Sequence, residues 1–369
     1  MFSEFMKRVE GHLSKELPFV VYRKPNSKEI YGILQQDNKL YHTSDYSEKG
    51  FVFAPFNAHS PAILMPLDEL IKTECNEIEI ITKGVDDILE SNVNEMEFHL
   101  NLVQKGVQQI KKGKLDKVVL SRKLQVDCLE SPLKIFERLI STYASAFCYL
   151  WYHPKIGIWL GATPEILLRV ENNRLTTMSL AGTKAYVKNE NPTWGQKELD
   201  EQLMVTNYIT NALKDKVSSF KVHEVEAVRA GNLWHLRTKI TAVVHRNISH
   251  VLKALHPTPA VCGVPLPSAR KFIQEHENYN REYYTGFLGE LNLKQEIERT
   301  QSSRNQENKS YRAIKTKTEL YVNLRCMQMV GKKAIVYVGG GITKDSVPEN
   351  EWLETNVKSK TILSILTKN

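Results

Sequence analysis

Apolar residues in the first fourteen positions recur at helical spacing, Phe2, Phe5, Val9 and Leu13, with charges between them. This predicts an amphipathic helix, without the apolar stretch and cleavage site of a signal peptide. Through residues 1–90, short apolar runs (FVVYR, FVFAPF, AILMPL) alternate with polar turns, which predicts strands and short helices in an α+β arrangement. Met96, Leu100, Val103, Val107 and Ile110 then return at i+3/i+4, predicting a helix that ends near Lys112-Gly113. DKVVLSRKLQV reads as a strand and PLKIFERLISTY as a helix. AFCYLWYH, KIGIWLG, EILLRV and RLTTMSL follow as strands with polar, Gly or Pro breaks. Strands that succeed strands without helices between them point to an antiparallel sheet. Thr193-Trp-Gly-Gln196 has the form of a capping box and opens a helix through about Lys214. KITAVVHR predicts a strand, SARKFIQEHENYNREYY a helix, and ELYVNLRCMQMV with KAIVYVGGGI a closing hairpin. Ser346-Val-Pro-Glu349 forms a second capping box, from which a last helix runs to the C-terminus. The almost wholly polar stretch 296–315 is expected to be a solvated loop.

Composition narrows the class. With 41% apolar and 25% charged residues over 369 positions, the chain is an ordinary globular protein, neither collagen-like nor low-complexity. A formal charge of +8 suits an anionic partner, a small acidic substrate or a polyanion. Because the basic residues are spread among acidic ones rather than interleaved with aromatics, nucleic-acid binding is not expected. The five cysteines (75, 128, 148, 262, 326) include no CxxC pair, and reduced thiols in a cytoplasmic protein are the simplest account. No run approaches the ~20 apolar residues of a membrane-spanning helix, so no membrane association is expected.

Several familiar sites are absent. The glycines at 339–341 continue as ITK and do not make GxGxxG; there is no GxxxxGK[ST], HExxH, zinc-spaced Cys/His set or GxSxG. What stands out is carboxylate spacing. Glu351, Glu354 and Lys358 share one face of a helix, as do Glu198 and Glu201 on an earlier one. Such faces are either solvated with local ion pairs, or they hold a hard cation through oxygen ligands as Mg²⁺ sites do.

Eight motifs then occur in a telling order: KLDKVVLSR (114–122), GATPEILLR (161–169), SLAGT (179–183), KELDEQ (197–202), LHPTPAVCGVP (255–265), VNLRC (322–326), YVGGGI (337–342) and EWLETNVK (351–358). In this the chain resembles the chorismate-utilising enzymes over roughly residues 95–369, with residues 1–90 divergent. The resemblance implies an α/β (α+β) fold forming a single large domain over 1–369, with two mainly antiparallel β-sheets packed face to face and helices outside. It implies Mg²⁺ held by Glu201 and Glu354, with Glu198 and Glu351 in support, and chorismate as the small-molecule substrate. The positions that match substrate contacts are Thr183, His235, Ala260, Tyr284, Arg325, Gly339, Gly341 and Lys358. For Tyr284, a packed aromatic at a helix end is the alternative.

The same resemblance gives the branch of the family. Lys117 stands where water-using members carry a lysine base and ammonia-using members usually carry glutamine, and Glu165 matches the acid for the departing hydroxyl. Ala181 replaces the lysine of the PIKGT motif found in aminodeoxychorismate enzymes. Together they imply an isomerase, isochorismate synthase, feeding menaquinone or a catechol siderophore. Salicylate synthase is the alternative; an anthranilate or aminodeoxychorismate synthase component and a non-catalytic binding protein stand further off. A monomer is expected, with a homodimer as the other possibility. Two departures from the family pattern are Gln202, where many members have His, and Gly340, where GAGI has Ala.

Overall fold

The computed structural model describes residues 2–74, 93–186, 191–230, 233–245, 247–298 and 312–366. Helix α1 (Phe2–Ser14) buries Phe5 and Val9 of the predicted stripe together with Met6, while Phe2 and Leu13 pack partly buried against the same core. Six strands follow: β1 (Phe19–Arg23), β2 (Glu29–Leu34), β3 (Tyr41–Thr43), β4 (Gly50–Ala54), β5 (Ala62–Pro66) and β6 (Glu69–Glu74). Helix α2 (Val93–Lys111) leads into β7 (Lys117–Asp127) and helix α3 (Pro132–Thr142). The Ser131 hydroxyl caps α3 by accepting from the Leu133 N–H, and Pro132 at the first turn needs no donor partner. Then come β8 (Phe147–His153), β9 (Gly157–Thr163), β10 (Ile166–Glu171), β11 (Arg174–Ala185), α4 (Gln196–Leu213), β12 (Ser218–Ala230) and β13 (Leu233–Val243). The chain continues through α5 (Ser249–Leu255), β14 (Gly263–Val264), α6 (Leu266–His276), β15 (Phe287–Glu298) and β16 (Arg312–Val322). It closes with β17 (Cys326–Val330), β18 (Lys333–Ile342) and α7 (Pro348–Leu363).

Among the described residues the strands form two nine-stranded sheets. One has the order β14-β7-β18-β17-β9-β8-β1-β2-β6, the other β12-β13-β11-β10-β16-β15-β4-β5-β3. Every pairing is antiparallel among the described residues, as strands following strands predicted. The sheets face each other across an aromatic layer. Phe53 meets Trp151 at 4.7 Å, Phe147 stacks on Tyr321 at 4.2 Å, and Tyr22 meets Phe51 at 5.3 Å. Side chains of this size each contribute about 1.5–3 kcal/mol when fully buried, so the layer is a main source of cohesion. On the outer faces, α1 and α3 cover one sheet, and α4 with α5 covers the other. This is why β8 is buried along its whole length.

The closing hairpin is corrected by the structure. ELYVNLRCMQMV is not one strand: β16 belongs to one sheet and β17 to the other, and the chain crosses between them at Asn323–Arg325. The strand-like apolar runs on either side, both buried, hid the break. Within this stretch it is β17 and β18 that form the hairpin. The helix expected to run from 268 to 284 stops at His276, beyond which the Glu277 carboxylate and Arg281 guanidinium bind each other and neighbouring backbone instead. Both capping boxes shift as well. Helix α4 is capped at Gly195, whose N–H donates to Glu198, and α7 starts after Val347 without a side-chain cap. Helix α7 ends at Leu363, short of the C-terminus. Strand β12 had no sequence signal because it is a mostly exposed edge strand with two register shifts, so neither face repeats cleanly. The ends of the stretch 296–315 belong to β15 and β16; its centre, 299–311, lies outside the described residues. Cys128, Cys148, Cys262 and Cys326 are buried free thiols, and Cys75 lies outside the described residues. Among the described residues no helix is long and apolar enough to cross a membrane.

Candidate active site

Two crossings between the sheets lie side by side and open a cleft. Strand β9 passes to β10 through Pro164-Glu165, and β16 passes to β17 through Asn323–Arg325. They are tied by backbone bonds, Val322 N–H to the Glu165 carbonyl at 2.9 Å and Ala162 N–H to the Arg325 carbonyl at 3.0 Å. Arg325 takes a left-handed backbone, φ 49°, a conformation of order 1–2 kcal/mol above the usual one for a residue with a side chain. Since β17 begins only at Cys326, it pairs with β18 no further than Val336. From Tyr337 to Ile342, one backbone edge of β18 therefore has no strand neighbour among the described residues. The cleft lies beside that edge, with an empty volume of about 1070 Å³ counted out into open solvent.

Lys117, Glu165, Glu198, Glu201, His235, Ala260, Tyr284, Arg325, Gly339, Gly341, Glu354 and Lys358 all line it. They arrive from β7, α4, β13, β18, α7 and the connections, which is why no single sequence window contains the site. Glu351 is buried but stands behind Gly340 rather than on the wall: a Cβ at Gly340 would lie 3.4 Å from Glu351 Oε2. Thr183 pairs with His235 through the backbone, and its side chain is outside the described set. Sequence reasoning did not single out Pro164, Leu180, Gly182 or Tyr337, which also line the cleft. Of these Gly182 carried a signal, since its φ of 65° makes the bulge between Ala181 and Thr183 that brings its carbonyl to His235.

The polar groups are paired across elements. Lys117, 1% exposed, holds Glu201 Oε1 at 2.6 Å. Lys358 holds Glu354 Oε1 at 2.5 Å and donates to the Gly339 carbonyl at 3.1 Å. Arg325 Nη1 donates to the Lys358 carbonyl at 3.0 Å, linking its crossing to α7. Glu198 Oε2 accepts from the Gly195 N–H at 2.8 Å. Gln202, next to Glu201, is buried and donates to Ser179 and Thr238, which fixes α4 on β11 and β13.

Two groups are shifted by this setting. Burial pushes the Glu165 carboxyl up to about 7, against the opposing pull of Lys117, Arg325 and Lys358. Near neutrality it thus holds its proton in a large fraction of molecules. Burial, helped by the charges of Arg325 and Lys358, pulls His235 down to about 4. Its Nδ1 lies 3.1 Å from the Gly182 carbonyl, so that nitrogen bears the proton of the neutral ring. Three cations on the wall make the cleft receptive to an anion, and a guanidinium with an ammonium suits carboxylates.

The donor set also fits a hard dication. The acidic wall residues are all glutamates, with no thiolate among the lining groups. Among the described residues no three acidic, His or Cys groups converge tightly enough to chelate an ion by themselves.

Residues 65–300 and 311–367 match the family model described as "Chorismate binding enzyme". Among curated relatives, the isochorismate synthase MenF of Haemophilus influenzae is 29% identical over 279 residues, covering 72% of this chain and 60% of that protein. Anthranilate synthase component 1 of Aquifex aeolicus is 27% identical over 289 residues, covering 75% of this chain and 54% of that protein. The matches thus span about three fifths or less of these relatives' length. Among solved structures, MenF, the menaquinone-specific isochorismate synthase of Escherichia coli, superposes with a TM-score of 0.73 at 20% identity, covering 95% of this chain and 89% of that one.

Proposed function

Because the chain belongs to the chorismate-binding enzyme family, we propose that it is an isochorismate synthase, an isomerase that moves the ring hydroxyl of chorismate from C4 to C2. The observation that carries this reading is that a buried lysine, Lys117, and a buried carboxyl whose proton affinity burial raises, Glu165, line one cleft. In this reading Lys117 is the base that takes a proton from water as the water oxygen bonds to C2. The ring double bonds shift, the C4–O bond breaks, and Glu165 gives its proton to the departing hydroxyl, which leaves as water. One water enters and one leaves, so the net reaction is an isomerisation. Arg325 and Lys358 hold the substrate carboxylates, and His235 stays neutral beside them. Ala181, on the same wall, leaves the ring free of a second lysine.

Glu201 and Glu354 would hold Mg²⁺, with Glu198 and Glu351 in support; when bound, the ion supplies positive charge against a substrate carboxylate that these glutamates would otherwise repel. The isochorismate formed is a precursor for menaquinone or a catechol siderophore. The test is purified protein with chorismate and Mg²⁺, with and without EDTA, products being resolved by chromatography and proton NMR. Isochorismate in reversible equilibrium with chorismate supports the reading. Salicylate with stoichiometric pyruvate moves the protein to the lyase branch, and an aminated product with ammonia moves it to the amination branch.

A further inference from the structure

Helix α7 presents Glu354 and Lys358 to the cleft, and its rotation about its own axis decides whether they face it. On the opposite side of β7 from Lys117 and Val119, a buried arginine grips that helix. Arg122, 8% exposed, donates from Nε to Thr355 Oγ1 at 2.9 Å and from Nη2 to Asn356 Oδ1 at 2.5 Å. Its guanidinium lies 3.8 Å from the ring centroid of Trp352. These three partners are interleaved with Glu351, Glu354 and Lys358 on α7. Arg122 itself is fixed to the floor of the site, since it pairs with Val338, next to Gly339, in the β7–β18 ladder. Trp352 is backed on α2 by His99, at 5.7 Å.

We propose that Arg122 is a positioning residue: by holding Trp352, Thr355 and Asn356 at once, it sets the rotation of α7 that turns Glu354 and Lys358 into the cleft. This rests on the reading of Glu354 as a cation ligand. A planar guanidinium suits the task because it donates in two directions while its face stacks on the indole; a lysine keeps the charge but cannot make all three contacts.

The test uses Mn²⁺ as a spin probe for the cation site, followed by electron paramagnetic resonance on the full chain, with melting curves and chorismate kinetics alongside. In Arg122→Lys and in Asn356→Ala, Mn²⁺ affinity is expected to fall about 10-fold or more, with a rise in KM for chorismate. The double variant should be little worse than the weaker single one, because both remove the same grip. Asn356→Ala keeps the question open to test even if the arginine variants fold poorly. Unchanged Mn²⁺ affinity in both single variants, with only a lower melting temperature, would overturn the proposal and leave Arg122 a packing residue. Glu354→Gln separates the two levels. If it leaves Mn²⁺ binding intact, the cation reading and this proposal fall together. If it weakens binding while Arg122→Lys does not, the proposal alone falls.

Discussion

Lys117 Nζ and Glu201 Oε1 stand 2.6 Å apart, joining the first residue of β7 in one sheet to the helix that covers the other. The pair closes one side of the cleft, and both members are more buried than a surface ion pair, with side chains 2% and 17% exposed. Losing one member of such a pair leaves a poorly solvated charge, which typically costs about 3–5 kcal/mol when burial is complete.

From this pair the first expectation follows. Lys117→Ala should lower turnover by about 10²–10⁴-fold, the range for removing a general base, while chorismate binding stays measurable. Steady-state kinetics with a parallel binding titration would show it. Full turnover in this variant would remove Lys117 from the mechanism and with it the choice of water as nucleophile.

Glu165 gives a pH dependence of definite sign. Its carboxyl titrates at about 7 in the folded chain, above its ordinary value of 4.5. As a proton donor it works in the protonated form, so kcat/KM should fall on the alkaline side as pH rises through about 7. The same shift acts on stability. Between 4.5 and about 7 the folded chain binds more protons at this site than the unfolded chain does. Its contribution is therefore full below the lower value and is lost as pH rises through the upper one. Glu165→Gln should thus abolish turnover and yet raise the melting temperature at mildly alkaline pH, with no gain in acid. A kcat/KM profile that stays flat through about pH 8 would remove Glu165 as the acid.

Cation removal bears on α7 and α4 together. EDTA should stop turnover and Mg²⁺ restore it, and Glu354→Ala should weaken both Mg²⁺ response and chorismate binding by at least about 10–100-fold. Loss of chorismate affinity with an unchanged Mg²⁺ titration would mean that Glu354 meets the substrate alone.

Much of this site was legible because its members sit in short motifs whose side chains converge. Lys117, Glu165, Arg325 and Lys358 line one cleft although 241 positions separate the first from the last in the chain numbering. What the sequence hid was the means of convergence. The break at Pro164-Glu165 was visible in the sequence and the one at Asn323–Arg325 was not read, and nothing in periodicity marks either as a strand that changes sheets while staying buried. The support was hidden for a different reason. Arg122 looks like any cation within a strand, and only tertiary contact shows it clasping Trp352, Thr355 and Asn356. Gln202 was visible as a departure from the family pattern, but its bonds to Ser179 and Thr238 depend on how α4 sits on the sheet. The capping boxes misled because the helices start slightly later than the sequence matches, α4 after Gly195 and α7 after Val347, the latter with no side-chain cap.

The glycines of β18 allow a discriminating pair of substitutions. A Cβ at Gly341 would come within 2.9 Å of Lys117 Cε and 3.0 Å of Glu201 Oε1, so alanine there must push apart the ion pair that closes the cleft. A Cβ at Gly340 would meet Glu351 Oε2 at 3.4 Å and Glu354 Oε1 at 3.8 Å, which is ordinary contact. Gly340 is also the position where the family pattern has alanine. Gly340→Ala should therefore keep activity and gain about 0.4–1 kcal/mol by restricting the unfolded chain. Gly341→Ala should fold, because the obstacles are side-chain ends rather than backbone, but lose turnover by displacing Lys117. Melting curves and chorismate kinetics on the two variants decide the matter: equal activity in both would show that the amine of Lys117 need not stand where the missing side chain of Gly341 leaves it.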